Sequence, residues 1–449
     1  MTYERKHKDR LTYLVLIILV INLFFAEYLN KQLMIIPRQA TWIPEIISLI
    51  VVVLILLRFA ILKDFAIGLK YMILLSLFIT IFAASSLINL SGPGAIIVGM
   101  RTYLKSLPLF LLPAVFKVDS KRLKNQLLFI LPLLLLQCPM AFFQRLIQFG
   151  LDANGDNIRG TLNTSGVLTF VMICSIAILN GFYQKKLLKL RYFIILSLIL
   201  FIPTTINETK VTVAYLPLSI IIPFVFVNEH RIANKIKKLV AVVAMGAILA
   251  AIFIPVYNYF MQPRWGYGIF EFITSGKATE YVYSGTPYNV NKNWRRGDRL
   301  VVAADTVSKD LGTFFFGYGP GNVIDSYLND FQDSTVDATA KANAQAVTNL
   351  IWENGFLGLL TYVSLLFLIY KDASLLRKQD SFMGGFSLGW CAVVILSGLN
   401  LFYQNILIMN IINYLFWYFS GVVASQAYRF RNAERFQQVQ PLYRLAVSK

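Results

Sequence analysis

The chain has 449 residues, of which 57% are hydrophobic and only 14% charged, with a mean hydropathy of +0.61. This excludes a water-soluble enzyme built on one core, and apolar runs of about 17 to 25 residues, each long enough to carry a helix across ~30 Å of hydrocarbon, exclude a β-barrel made of short alternating segments. The formal net charge of +19 would suggest nucleic acid in a soluble chain, but in a membrane protein it arises from basic loops, so no nucleic-acid partner is expected and the bilayer is.

The pattern predicts an all-α polytopic integral membrane protein of about twelve transmembrane helices, near 11–29, 43–62, 71–91, 94–116, 125–145, 165–183, 192–207, 211–228, 239–258, 349–370, 382–402 and 405–427. Nine of these fall within 1–258 and three within 349–427, separated by one long loop, 259–348, and followed by a tail, 428–449. Arg5, Lys6, Lys8 and Arg10 precede the first span, whose apolar run is too long for a signal peptide and is followed by no small-residue cleavage site; it is expected to be a retained anchor. If the amino terminus is cytoplasmic, the loops on that side hold 26 of the 42 Lys and Arg, against 7 toward the opposite side outside the long loop, with Arg101, Lys105 and Arg145 near span ends included. The positive-inside rule then places both termini in the cytoplasm and 259–348 outside. Cys138, Cys174 and Cys391 fall inside predicted spans at spacings that suggest no pair, and His7 and His230 lie in basic segments, so neither a redox centre nor a histidine metal site is expected.

The hairpin from Tyr192 to Asn228 is so short that its turn must fall near Asn207, Glu208, Thr209 and Lys210. Lys210 is thereby pinned at the outer interface. At the bilayer centre a lysine costs about 2.5–3.5 kcal/mol, so this one should face a polar cavity or a phosphate, or else snorkel and pair with Glu208. Other cations gather at the same level: Arg101 and Lys105 four residues apart after the Gly92–Gly94 break, Arg159 before the sixth span, and Lys292, Arg295, Arg296 and Arg299 in the long loop. Together they suit a lipid diphosphate head group, which arginine forks bind bidentately. Tyr257, Tyr259, Phe260, Trp265 and Tyr267 fit an interfacial aromatic belt, whereas Tyr281, Tyr283, Tyr288 and Trp294 lie far enough along the loop to suggest a groove stacking sugar rings.

The segment 299–312 reads as a short amphipathic helix closed by the turn Gly317-Tyr318-Gly319-Pro320-Gly321, which lacks the strand and third glycine of a dinucleotide site. Asp325, Asp330, Asp333 and Asp337 match no calcium-loop spacing, and no metal or other cofactor is expected.

Arg159-Gly160-Thr161-Leu162-Asn163 resembles the Arg-x-x-Gly-Thr-Phe-x-Asn region of the O-antigen ligase and polymerase family, and Glu208-Thr209-Lys210 is similar to that family's Ser-Arg-Gly segment. Arg296-Gly297-Asp298-Arg299, the glycine turn, and Asn349 to Leu359 with Glu353 at its centre resemble the family's long outer loop and the helix start after it. The pieces occur in order over about 159–370. The resemblance implies a GT-C-like layout in the bacterial cytoplasmic membrane and a glycosyl transfer outside it. One polyprenyl-diphosphate-linked oligosaccharide would be joined to the end of another, with a flippase and a chain-length regulator as partners. Where ligases of the family carry a histidine, this chain has Ala344 and Gln345, so the resemblance favours a polymerase over a ligase. It implies that Arg159, Lys210, Arg296 and Arg299 stabilise charge on the diphosphate, with Glu353 or Asp298 as base. Arg101, Lys105, Lys292, Arg295, Trp265, Trp294 and Tyr318 would bind substrate. Glu353 also reads as an amino-terminal helix charge, and Asp298 as a partner for its flanking arginines. The competing class, a lipid-linked sugar flippase or secondary transporter, would place charge at mid-membrane.

Overall fold

The computed structural model describes residues 2–62, 65–227, 232–283, 295–323 and 344–447, and every regular element among them is a helix, with no strand. Among them, eight helices are long and apolar enough to cross a membrane; the protein is a multi-pass all-α membrane protein. The expected span 94–116 is two helices, Pro93–Tyr103 and Leu107–Val115, bent by 51°, which would make a ninth. The expected spans 192–207 and 211–228 are the shorter apolar helices Leu190–Ile206 and Thr212–Phe226, and 405–427 belongs to the long helix Asn410–Val447.

Two helices form the centre. In Phe382–Tyr403, 78% of the most apolar window is buried within the protein and in Ser165–Gln184, 72%, against 22% for Val243–Phe260, which therefore turns most of its surface to lipid. They cross closely because small residues meet: a Cβ added to Gly181 would stand 2.4 Å from the Gly385 carbonyl oxygen.

The connections sort to two ends of the bundle. At one end Lys185 pairs with Asp380 at 3.0 Å, Arg377 donates to the Phe226 carbonyl, and Gln426 reaches the Val118 carbonyl. Here the buried Asp372 takes Lys70 at 3.1 Å, the Tyr71 hydroxyl at 3.0 Å and Arg431, tying three helices together. At the other end Lys31 reaches Asn163 at 2.9 Å, Lys105 reaches Asn410 at 2.6 Å, and Asn89 donates to the Gly317 carbonyl at 3.0 Å.

The expected helix 299–312 is two helices, Arg296–Val307 and Leu311–Phe316. It starts earlier because the Asp298 carboxylate accepts the Arg295 N–H at 3.3 Å. It breaks because the Asp310 carboxylate caps Thr313 N at 3.0 Å, and the Thr313 hydroxyl donates to the Val307 carbonyl at 2.9 Å. The helix Ala346–Leu376 is itself broken at Gly355 (φ +64°, ψ −171°), against Gly317 (φ +71°). A Cβ on Gly355 would lie 2.3 Å from the Phe315 carbonyl oxygen, and one on Gly317 2.5 Å from that of Trp352, so only glycine permits both the left-handed backbone and the approach. The Trp352 carbonyl accepts the Tyr318 N–H at 2.6 Å, and that of Glu353 accepts the Ser85 hydroxyl at 3.0 Å.

Candidate functional site

Lys210 stands in the turn between the two short helices Leu190–Ile206 and Thr212–Phe226. Asn207 holds that turn: its amide nitrogen donates to the Ser165 carbonyl at 3.0 Å and to the Thr169 hydroxyl at 2.9 Å, while its Oδ1 accepts the Thr209 N–H at 3.2 Å. Glu208 adopts a left-handed φ of +56°, and its carboxylate meets Arg145 at 2.7 Å with both side chains almost wholly buried. Beside the Glu208–Lys210 pair that the sequence left open, Glu208 thus has a partner in Arg145, which reaches in from one turn of π-helix, Gln144–Gln148. Arg145 also donates to the Ala153 carbonyl at 2.7 Å and stacks 3.8 Å from the Phe260 ring centroid.

The Lys210 ammonium donates to the Tyr267 hydroxyl at 3.3 Å and lies 5.6, 5.0 and 4.8 Å from the ring centroids of Tyr267, Phe272 and Tyr281. Arg296 also approaches the Tyr281 ring, at 4.8 Å from its centroid, lies 4.5 Å from the Tyr403 ring, and donates through Nε to the Tyr403 carbonyl at 2.9 Å. Burial, then the charges of Arg296 and Arg295, hold the Lys210 pKa below the ordinary lysine value, with Asp156 opposing them. Burial and Arg296 likewise lower that of Arg299. Lys210, Arg296 and Arg299 are thus partly buried close to one another among aromatic rings, with the exposed Arg295 near enough to add its charge. Like charges so placed repel one another, and a polyanion would relieve that repulsion.

Arg159 belongs to the neighbouring loop. Its backbone N–H and that of Gly160 both donate to Gln144 Oε1, at 3.0 and 2.7 Å, and its guanidinium turns back to the Asn163 carbonyl at 3.2 Å. The loop rests on the Lys210 turn: a Cβ on Gly155 would lie 2.4 Å from the Asn207 carbonyl oxygen.

Other candidates are placed elsewhere or otherwise engaged. Asp298 is buried as a helix-capping carboxylate. Glu353 is not a helix amino-terminal charge: it is fully buried two turns into Ala346–Leu376, where Oε1 accepts the Val323 N–H at 3.0 Å. Ala346, whose N–H reaches the Gln404 carbonyl beside Tyr403, is seven residues, roughly 10 Å of helix, from Glu353. The Tyr318 hydroxyl donates to the Thr306 carbonyl at 2.9 Å and so fastens the glycine turn. Arg101 and the buried Lys105 converge on Glu45, at 3.1 and 3.9 Å, in a separate group with Trp42 and Asn410. Trp265 ends the helix Ile232–Trp265, with its side chain outside the described part, and Lys292, Trp294, Tyr288 and the Asp325–Asp337 run lie outside the described residues. Among the described residues no cluster of three His, Cys, Asp or Glu could hold a metal.

Sequence reading missed Arg145 and Tyr403. An arginine and a glutamate at the same-side ends of different predicted spans were a usable signal for Arg145, whereas Tyr403 carries no mark that separates it from any other aromatic at a span end. Compared with known proteins, the chain matches no family model and no curated protein.

Proposed function

We propose that the protein is a glycosyltransferase acting at the outer face of the membrane, a polymerase that joins polyprenyl-diphosphate-linked oligosaccharide repeats into a surface polysaccharide. The observation that carries this reading is the approach of Lys210 and Arg296 to one Tyr281 ring, each 4.8 Å from its centroid, with Arg295 and Arg299 adding charge, at one end of a membrane bundle. In the reaction the acceptor hydroxyl oxygen bonds the donor sugar C1 as the C1–O bond to the diphosphate breaks. The electron pair leaves with the diphosphate, and the hydroxyl proton is released. Negative charge grows on the leaving group, so a preorganised cationic pocket supplies the larger share of catalysis. Lys210 and Arg296 would take the phosphate oxygens, and the Tyr281 and Tyr403 rings would bound the first sugar. The bulk of Tyr267, Phe272 and Tyr281 partly shields the ammonium from water and so strengthens its interaction with an anion.

The test is the polymer ladder of cells carrying single variants, with membrane levels of the protein measured alongside. Lys210→Ala and Arg296→Ala should abolish long polymer while the protein still inserts. Full-length polymer from both would remove the diphosphate reading and bring the transporter class forward.

A further inference from the structure

Four carboxamides gather where helix Phe382–Tyr403 ends. Asn400 lies in its last turn, Gln404 and Asn405 follow it, and Gln345 is brought alongside by the Ala346 N–H, which donates to the Gln404 carbonyl at 3.3 Å. Each has one buried amide atom with no hydrogen-bond partner among the described residues: Gln345 Nε2, Asn400 Nδ2, Gln404 Nε2 and Asn405 Oδ1. For two of them the opposite atom is engaged. Gln345 Oε1 accepts the Thr348 hydroxyl at 2.9 Å, and Asn400 Oδ1 accepts the Tyr215 hydroxyl at 3.2 Å. Turning either amide by half a revolution exchanges which atom is left over without removing the surplus.

A buried amide left unsatisfied costs stability, and four in one place is a concentration that folding alone does not reward. Their position is specific. Tyr403, between Asn400 and Gln404, is the residue whose carbonyl and ring hold Arg296. Gln345 is 1% exposed and Asn400 fully buried, while Gln404 and Asn405, which follow Tyr403 in the chain, are partly exposed.

We propose that this carboxamide cluster is the saccharide subsite, binding hydroxyls of the sugar next to the diphosphate; the inference rests on Lys210 and Arg296 gripping that diphosphate. A carboxamide presents a donor and an acceptor in one plane, the complement of neighbouring sugar hydroxyls, each of which both donates and accepts. Neutral amides add little for phosphate where arginine and lysine already stand. They discriminate strongly for a hydroxylated ligand, because a ligand without those hydroxyls leaves them unpaired.

The experiment uses the full chain in lipid nanodiscs and two probes: undecaprenyl diphosphate without sugar, and the same lipid bearing the repeat oligosaccharide of the producing cell. Gln404→Leu and Gln345→Leu, which keep side-chain bulk, should weaken the sugar-bearing lipid at least tenfold and leave the sugar-free lipid within twofold. The melting temperature of Gln404→Leu should be unchanged or higher, since an unsatisfied amide has gone, whereas that of Gln345→Leu should fall modestly, because the buried Thr348 hydroxyl loses its acceptor. Asn405→Ala, at the partly exposed side where folding is least at stake, should show the same selective loss. Equal binding of the sugar-bearing lipid by wild type and all three variants would overturn the proposal and assign the amides to buried water, and so would a loss that is the same for both probes. Failure of the diphosphate grip itself would show separately, as sugar-free lipid binding that Lys210→Ala leaves unchanged.

Discussion

The Arg145–Glu208 pair should govern the order of the turn that carries Lys210. Both side chains are almost wholly buried, and the contact is 2.7 Å. Replacing Arg145 by Met removes one partner and leaves the Glu208 carboxylate without this guanidinium, a change that costs about 3–5 kcal/mol at buried sites. Glu208→Gly alone leaves the guanidinium in the same position, offset by about 1–2 kcal/mol because a glycine carries φ +56° without strain. In the double variant neither charge is buried and the backbone is relaxed, so the net cost should be near zero. The cycle should therefore return a coupling of about 3 kcal/mol or more. Thermal denaturation of detergent-purified protein at one scan rate would measure it, with the polymer ladder run in parallel. The double variant should melt close to wild type yet make shorter polymer, because Lys210 has lost its anchor. If Arg145→Met alone melts with wild type, the pair does not brace the turn. If the double variant is as unstable as Arg145→Met, the cost lies in the contacts of Arg145 with Ala153 and Phe260 rather than with Glu208.

With the Lys210 pKa held below the ordinary lysine value, its cationic form is disfavoured in the fold; activity that needs the cation should fall as pH rises through that lowered pKa, earlier than for an exposed lysine. Lys210→Arg should keep polymerisation and move this alkaline limb upward, as followed by initial rates against pH. Arg296→Lys keeps the charge but loses the planar fork and the bond to the Tyr403 carbonyl, so polymer should shorten at unchanged protein level. Asp372→Ala should free Lys70, Tyr71 and Arg431 from one another and speed limited proteolysis of the carboxy-terminal helix, with little effect on sugar-lipid binding at the opposite end. Gly355→Ala should lower the yield of folded protein, since the new Cβ would stand 2.3 Å from the Phe315 carbonyl oxygen in a left-handed backbone; membrane yield measures it.

Run length and hydropathy by themselves determined that the chain is helical and crosses the membrane many times, because a bilayer leaves backbone polar groups no partner except within a helix. The brevity of the 192–228 hairpin also placed Lys210 at a turn, since chain length limits where two short helices can reverse. Tertiary structure decided what each charge meets. The spacing of Arg145 and Glu208, 63 residues apart, holds no information about their contact, and the same is true of Arg296 and the Tyr403 carbonyl, 107 residues apart. Glu353 sits in a run that reads as a helix start, and only the packing of Gly317 against Gly355 shows why the helix breaks after it and why its carboxylate is buried there. Local pattern fixes periodicity and length; which cations share a pocket depends on how the helices pack, and packing is set by shape at contacts far apart in sequence.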